Sequence, residues 1–147
     1  MTTEPIVKTV HVALPPAAAF DLFTARIGDW WPVESHSVSA GQGAPSQSLA
    51  MEPRLGGEVI EIAADGVRHV WGKVLEWDPG VSMRMTWHPG KMADQQTEVR
   101  VSFKAAGAGC RVELTHAGWE ALEDGAKTRA GYDTGWVGVL ERFTAAA

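Results

Sequence analysis

Residues 68–90 read RHVWGKVLEWDPGVSMRMTWHPG, and the reading of this stretch decides the fold. Two runs, 68–77 and 81–87, flank Asp78-Pro79-Gly80, and His88-Pro89-Gly90 closes the second run. Proline presets φ at one turn position and glycine accepts positive φ at another, so both tripeptides read as turns. In the second run Met83, Met85 and Trp87 alternate with Ser82, Arg84 and Thr86. That is the period of a strand with one covered face. The stretch is therefore an antiparallel hairpin.

Working outward, Ala64-Asp65-Gly66 and Ala106-Gly107-Ala108-Gly109 carry the same turn chemistry. They delimit further strands at 58–63, 97–105 and 110–116. Residues 48–52 add a sixth candidate, and the alternating run 6–14 a seventh. Hairpin succession predicts an antiparallel sheet with one face covered. Pro15-Pro16 presets the first turn of a short helix over 17–25 with Phe20 and Phe23 on one side, and Pro32 closes any second helical turn around Trp30-Trp31. Residues 33–48 show little periodicity and form the longest irregular segment. Over 122–145, Tyr132, Trp136, Val139, Leu140 and Phe143 fall on one side at helical spacing, so a long helix covers the sheet. The neighbouring glycines at 131, 135 and 138 predict close packing of that helix against strand backbone. The class is α+β, about six to seven antiparallel strands with a long C-terminal helix and two short helices after the first strand, in one domain over 1–147.

A formal charge of −5 gives no basic stripe to neutralise phosphates, which argues against nucleic acid. Cys110 is the single cysteine, so no intramolecular disulfide or thiolate cluster can form. The five histidines lack metal-ligand spacing, and neither a metal nor a cofactor is expected. No membrane span or leader pattern is visible, and a cytoplasmic location follows as the expectation.

Pro53-Arg54-Leu55-Gly56-Gly57, residues 72–79 (GKVLEWDP), Met85-Thr86-Trp87, residues 114–119 (LTHAGW) and Gly135-Trp136 with Leu140 and Phe143 carry a resemblance over nearly the whole chain. In this order they resemble the bacterial homologues of the heat-shock protein 90 ATPase activator. That family lies within the START-like superfamily, with the birch-pollen allergens and polyketide cyclases. The resemblance implies a helix-grip fold with a cavity between sheet and helix, and it brings no shared catalytic residue. The doubled tryptophan Trp30-Trp31 and the long polar loop after it depart from the usual pattern.

Alternation places Met83, Met85 and Trp87 on one face with Val99, Val101 and Phe103, and with Cys110, Val112, Leu114 and His116. Either this face lines an adaptable apolar cavity or it is a filled core. His116 is either a satisfied structural histidine or an inward acid, base or donor. Trp87 and Trp136 should approach one another across the cavity, with one of Trp30 and Trp31 anchoring the short helix and the other near the mouth. Arg129 stands four residues before Asp133. It either makes an exposed pair there or, beside Tyr132, supplies the polar end of the cavity. The candidate ligand-binding set is thus Trp30, Trp31, Met83, Met85, Trp87, Val101, Phe103, Leu114, His116, Arg129, Tyr132 and Trp136. The leading expectation is binding of a small hydrophobic, aromatic or amphipathic molecule. A cyclase- or dehydratase-like enzyme comes second and a chaperone-associated protein third. A homodimer is possible.

Overall fold

Gly80 and Gly107 adopt φ of +79° and +58°, values that disfavour any side chain, and each sits in a turn that the sequence marks. The computed structural model describes residues 2–147; Met1, part of the expected domain, lies outside them. The elements follow as β1 (Ile6–Val12), α1 (Pro16–Phe23), α2 (Val38–Gly41), β2 (Ser48–Met51), β3 (Glu58–Ile62), β4 (Arg68–Asp78), β5 (Ser82–Trp87), β6 (Thr97–Ala106), β7 (Gly109–Ala117) and α3 (Gly125–Ala146). The seven strands form one sheet in the order β1-β7-β6-β5-β4-β3-β2, every neighbouring pair antiparallel. β1 and β2 are opposite edges, so α1 and the strap 33–47 carry the chain across. The curved sheet grips α3, which is the helix-grip arrangement.

The segment around Trp30-Trp31 differs in detail from its reading. Ile27–Asp29 is a single 3-10 turn, and the second short helix, α2, lies within the stretch read as irregular. Ser37 makes that helix possible, because its hydroxyl accepts from the Ala40 N–H at 3.0 Å.

Sheet curvature originates in β4. Its register slips between Val59 and Ile60 on the β3 side and between Val74 and Glu76 on the β5 side. Such bulges bend a strand and increase its twist. As a result Trp71, Val74 and Trp77, three residues apart instead of two, all turn toward the core. Gly72 lies inside this bend, where a Cβ would come within 1.8 Å of the Thr86 carbonyl oxygen. One end of the core is closed by aromatic packing. Phe23 and Trp30 stand 5.2 and 5.1 Å from Phe143, and Phe20 meets Trp77 and Phe103 at 4.9 and 5.3 Å.

The three helical glycines do not pack on strand backbone as expected. A Cβ at Gly131 or Gly138 would meet nothing within 4 Å, and one at Gly135 would meet only the His36 ring at 3.8 Å. Gly138→Ala should therefore stabilise the protein by about 1 kcal/mol through helix propensity. Gly72→Ala should cost about 1–3 kcal/mol by overpacking the bend. Urea unfolding of both variants against the parent measures the two opposite signs.

Candidate functional site

Four indoles converge at the other end of the sheet. Trp31 follows the 3-10 turn, Trp71 lies on β4, Trp87 ends β5 and Trp136 lies on α3. Ring centroids are 5.3 Å apart for Trp31–Trp71, 5.8 Å for Trp31–Trp87, 5.8 Å for Trp31–Trp136, 5.5 Å for Trp71–Trp87 and 5.7 Å for Trp87–Trp136. Tilted and edge-on arrangements like these suit the aromatic quadrupole. Beside them opens a cavity of about 470 Å³. Helix α3 contributes Thr128, Gly131, Tyr132, Gly135, Trp136 and Val139, one face at helical spacing, and the strap contributes Ser35, His36, Ser37 and Val38. Space exists there because Gly131 and Gly135 present no side chain. A smaller and more polar cleft of about 210 Å³ adjoins, sharing Trp87, Pro89, Thr128 and Tyr132 with the first.

Three of the four indole N–H groups are bound by the protein. Trp31 donates to the His36 carbonyl at 2.6 Å, Trp71 to Glu61 at 3.0 Å and Trp136 to His116 Nδ1 at 3.0 Å. The buried N–H of Trp87 has no hydrogen-bond partner. Burial pushes the pKa of the Tyr132 phenol up, and the Trp87 N–H beside its hydroxyl offsets part of that rise.

Glu61 is fully buried, and its two carboxyl oxygens accept from the Val38 and Ser39 N–H groups, both at 3.0 Å, as well as from Trp71. One side chain therefore ties β3, β4 and the strap together. An ion pair between Glu34 and Arg142 joins the strap to the far end of α3.

His116 is a fully satisfied residue. Because Nδ1 accepts from Trp136, the proton of the neutral ring sits on Nε2, which donates to Thr97 Oγ1 at 2.6 Å. The Thr97 hydroxyl in turn donates to the Trp87 carbonyl at 3.1 Å. Trp119 and Tyr132 pack on the ring at centroid distances of 4.1 and 4.9 Å. Burial pushes the His116 pKa down to about 3. Such a group stays neutral near pH 7 and has no free nitrogen for a ligand.

Of the residues read as ligand-binding, Trp31, Trp87, Tyr132 and Trp136 stand on the cavity wall. Trp87 and Trp136 do face each other from sheet and helix, both 2% exposed. Trp30 anchors the short helix, donating to the Leu22 carbonyl at 2.8 Å, while Trp31 sits under the strap. Met83, Met85, Val101 and Leu114 have no exposed surface and fill the core, with Phe103 in the aromatic packing at the closed end. Arg129 points elsewhere: its guanidinium binds the Glu4 carbonyl at 2.5 Å and the Pro5 carbonyl at 3.4 Å. Asp133 pairs instead with Lys8 at 2.8 Å. Both anchor the start of α3 to the N-terminal segment, because β1 is the strand beneath that flank of the helix. Sequence reasoning missed Trp71, His36 and Glu61 as residues of the site. Trp71 could have been found, since it shares strand parity with Trp77.

Residues 13–147 match the family described as Activator of Hsp90 ATPase homolog 1-like protein. The chain belongs to this family. Its fold and its neighbours are those of the START-like superfamily. A solved anthrahydroquino-gamma-pyrone synthase, Txn09, is 36% identical, with 87% of this chain and 86% of that one covered and a TM-score of 0.60. The Aha1 dimer from Colwellia psychrerythraea shares 16% identity over 97% of this chain and 95% of that one at a TM-score of 0.70. A protein from Rhodobacter sphaeroides shares 14% over 99% and 92%, also at 0.70. These last two show the family's fold alone. No curated protein matches the chain.

Two outcomes follow from the site's buried polar groups. The unfolded chain binds a proton at His116 below about pH 6.5 and the folded chain only near 3, so its contribution is complete above 6.5 and is lost as pH falls toward 3. Stability should drop by about 1.4 kcal/mol per pH unit from this group, on the order of 4–5 kcal/mol in all. Urea titrations between pH 7 and 4.5, with NMR showing a His116 ring that does not titrate in that range, check it. Glu61→Gln should cost about 2–3 kcal/mol, because one amide oxygen cannot serve three donors. Hydrogen exchange should quicken at the Val38 and Ser39 amides.

Proposed function

We propose that the tryptophan-walled cavity binds a small planar aromatic or amphipathic molecule, within one domain over 1–147 that acts in the cytoplasm. The observation that carries this reading is the cleft of about 470 Å³ faced by four indoles with few polar groups. Burial between rings supplies most of the affinity in such a site, and sparse polar groups set orientation. Trp31, Trp87, Tyr132 and Trp136 are the binding residues, joined by Trp71 and His36. Among the described residues no helix is long and apolar enough to cross a membrane.

A second reading is a cyclase- or dehydratase-like enzyme, favoured by the 36% identity to a pyrone synthase. His36 and Tyr132 are the proton-transfer groups on the cavity wall. Turnover of that synthase's own substrate, lost in His36→Gln while binding persists, would support this reading. The chaperone-associated role rests on the family's description, and a homodimer on the dimeric Aha1 neighbour and the exposed Val7 and Val137.

The binding reading is tested with 1-anilinonaphthalene-8-sulfonate followed by fluorescence. The parent should bind at micromolar levels, and Gly131→Phe, which places a ring in open space without crowding the protein, should weaken binding more than tenfold while urea stability stays unchanged. Absence of binding, or binding unaffected by the plug, would overturn it.

A further inference from the structure

The protein satisfies every indole of the aromatic box except one. Trp31, Trp71 and Trp136 each donate away from the cavity, to a carbonyl, a carboxyl group and an imidazole. Trp87 is 2% exposed and its N–H is unpaired. Buried N–H groups without an acceptor are rare, because the group has given up its water for nothing. The Tyr132 hydroxyl lies beside it without an aligned hydrogen bond and accepts from no other described residue. Both side chains stand on the wall shared by the two adjoining clefts. Two donors thus meet at a boundary between apolar and polar space.

We propose that the Trp87 indole N–H and the Tyr132 hydroxyl form a two-donor seat for the carbonyl oxygen of a planar aromatic ketone or quinone. This rests on the cavity being a small-molecule site, and it names the ligand's chemistry. A ring lying among the indoles carries its carbonyl lone pairs in the ring plane, so the oxygen meets the wall edge-on. Two donors match two lone pairs. The Tyr132 hydroxyl can rotate its proton toward the oxygen, whereas the Trp87 N–H is fixed by packing against Trp31, Trp71 and Trp136. A hydrocarbon of the same outline would fill the space and leave the Trp87 N–H unpaired. The seat therefore selects by oxygen and the box by flatness. The charged side chains that line the adjoining cleft, Lys91, Asp94, Glu123 and Asp124, are exposed to solvent, and at the two donors a neutral acceptor fits better than a charged one.

The test compares anthraquinone-2-sulfonate with anthracene-2-sulfonate by calorimetry, two flat probes with the same solubilising charge and with or without ring carbonyls. The parent should bind the quinone about tenfold tighter. Tyr132→Phe should cut that preference to about threefold or less. In 1H–15N spectra the Trp87 indole resonance, assigned by its loss in Trp87→Phe, should move downfield with the quinone only. Equal affinities in the parent, or a preference that survives Tyr132→Phe with the Trp87 resonance unmoved, would overturn the seat while the small-molecule site stands. If neither probe binds, the site and the seat fall together.

Discussion

The hydrogen bond from the Trp136 indole to Nδ1 of His116 sets the relation between helix and sheet. An indole has one donor and an imidazole acceptor has one in-plane lone pair, so the bond fixes both rings in angle as well as distance. His116 is held in turn by Thr97 and through it by the Trp87 carbonyl, which links α3 to β7, β6 and the end of β5. The chain works only with a neutral ring. Protonation would place an N–H against the Trp136 N–H in a fully buried site, and burial keeps the proton off. The family membership and the sheet grip describe the frame, but this bond determines how far α3 stands from the strands at its tryptophan.

With α3 held at that distance, what lies between helix and sheet depends on side-chain volume. Toward the C-terminal end of the helix Val139, Leu140 and Phe143 reach the sheet and close the core. Toward its beginning Gly131 and Gly135 leave the gap open, and Tyr132 and Trp136 border it. An open gap lined by indoles would close by collapse of the strap if nothing held the strap up. Glu61 does so, binding the first N–H groups of α2 from inside the sheet. A carboxyl group there has no cation to meet it; the backbone N–H groups and the Trp71 indole take that part. Buried polar groups on two sides thus keep an apolar space apart.

The strands were legible because their signals are local. Asp78-Pro79-Gly80 and the alternation of Met83, Met85 and Trp87 specify a hairpin without help from the rest of the chain, and the observed β4 and β5 end within a residue of that reading. The pairing of Trp87 with Trp136 was also legible, since each periodicity names its inward face. The cavity wall was less so. Alternation tells which side chains face the helix but not how far the helix stands from each, so Met83, Met85 and Leu114 looked the same as Trp87 although they are sealed beneath it. Trp71 was legible from its strand parity with Trp77, but the β4 bulges, which bring Val74 inward between them, break the alternation that would have joined the two. Arg129 was misleading because a helical wheel has no knowledge of β1; the Glu4 and Pro5 carbonyls that it binds are more than a hundred residues away. The glycine stripe was read as close contact, when the same absence of side chain serves to leave room.

The distribution of hydrogen-bonding capacity also bears on the kind of chemistry such a site can perform. His116, fully buried, has both nitrogens engaged and a pKa far below neutrality, so it cannot exchange a proton with a ligand without breaking the link between sheet and helix. Glu61 is likewise engaged, by the Val38 and Ser39 N–H groups of the strap and by the Trp71 indole. Groups whose removal from their partners would unlatch the structure are poorly placed to act on a substrate. On the cavity wall free capacity lies with Tyr132 and Trp87 on one side and with His36 on the other. His36 has Nδ1 engaged by the Ser35 hydroxyl at 2.7 Å and its Nε2 edge facing Gly135. Among these the Tyr132 hydroxyl can turn toward a guest at little cost to the fold, while the packed Trp87 indole presents its N–H in a fixed direction. This division, with structural polar groups behind the indoles and uncommitted ones among them, lets the cavity be specific about a ligand's oxygen atoms while its shape is set by tryptophan.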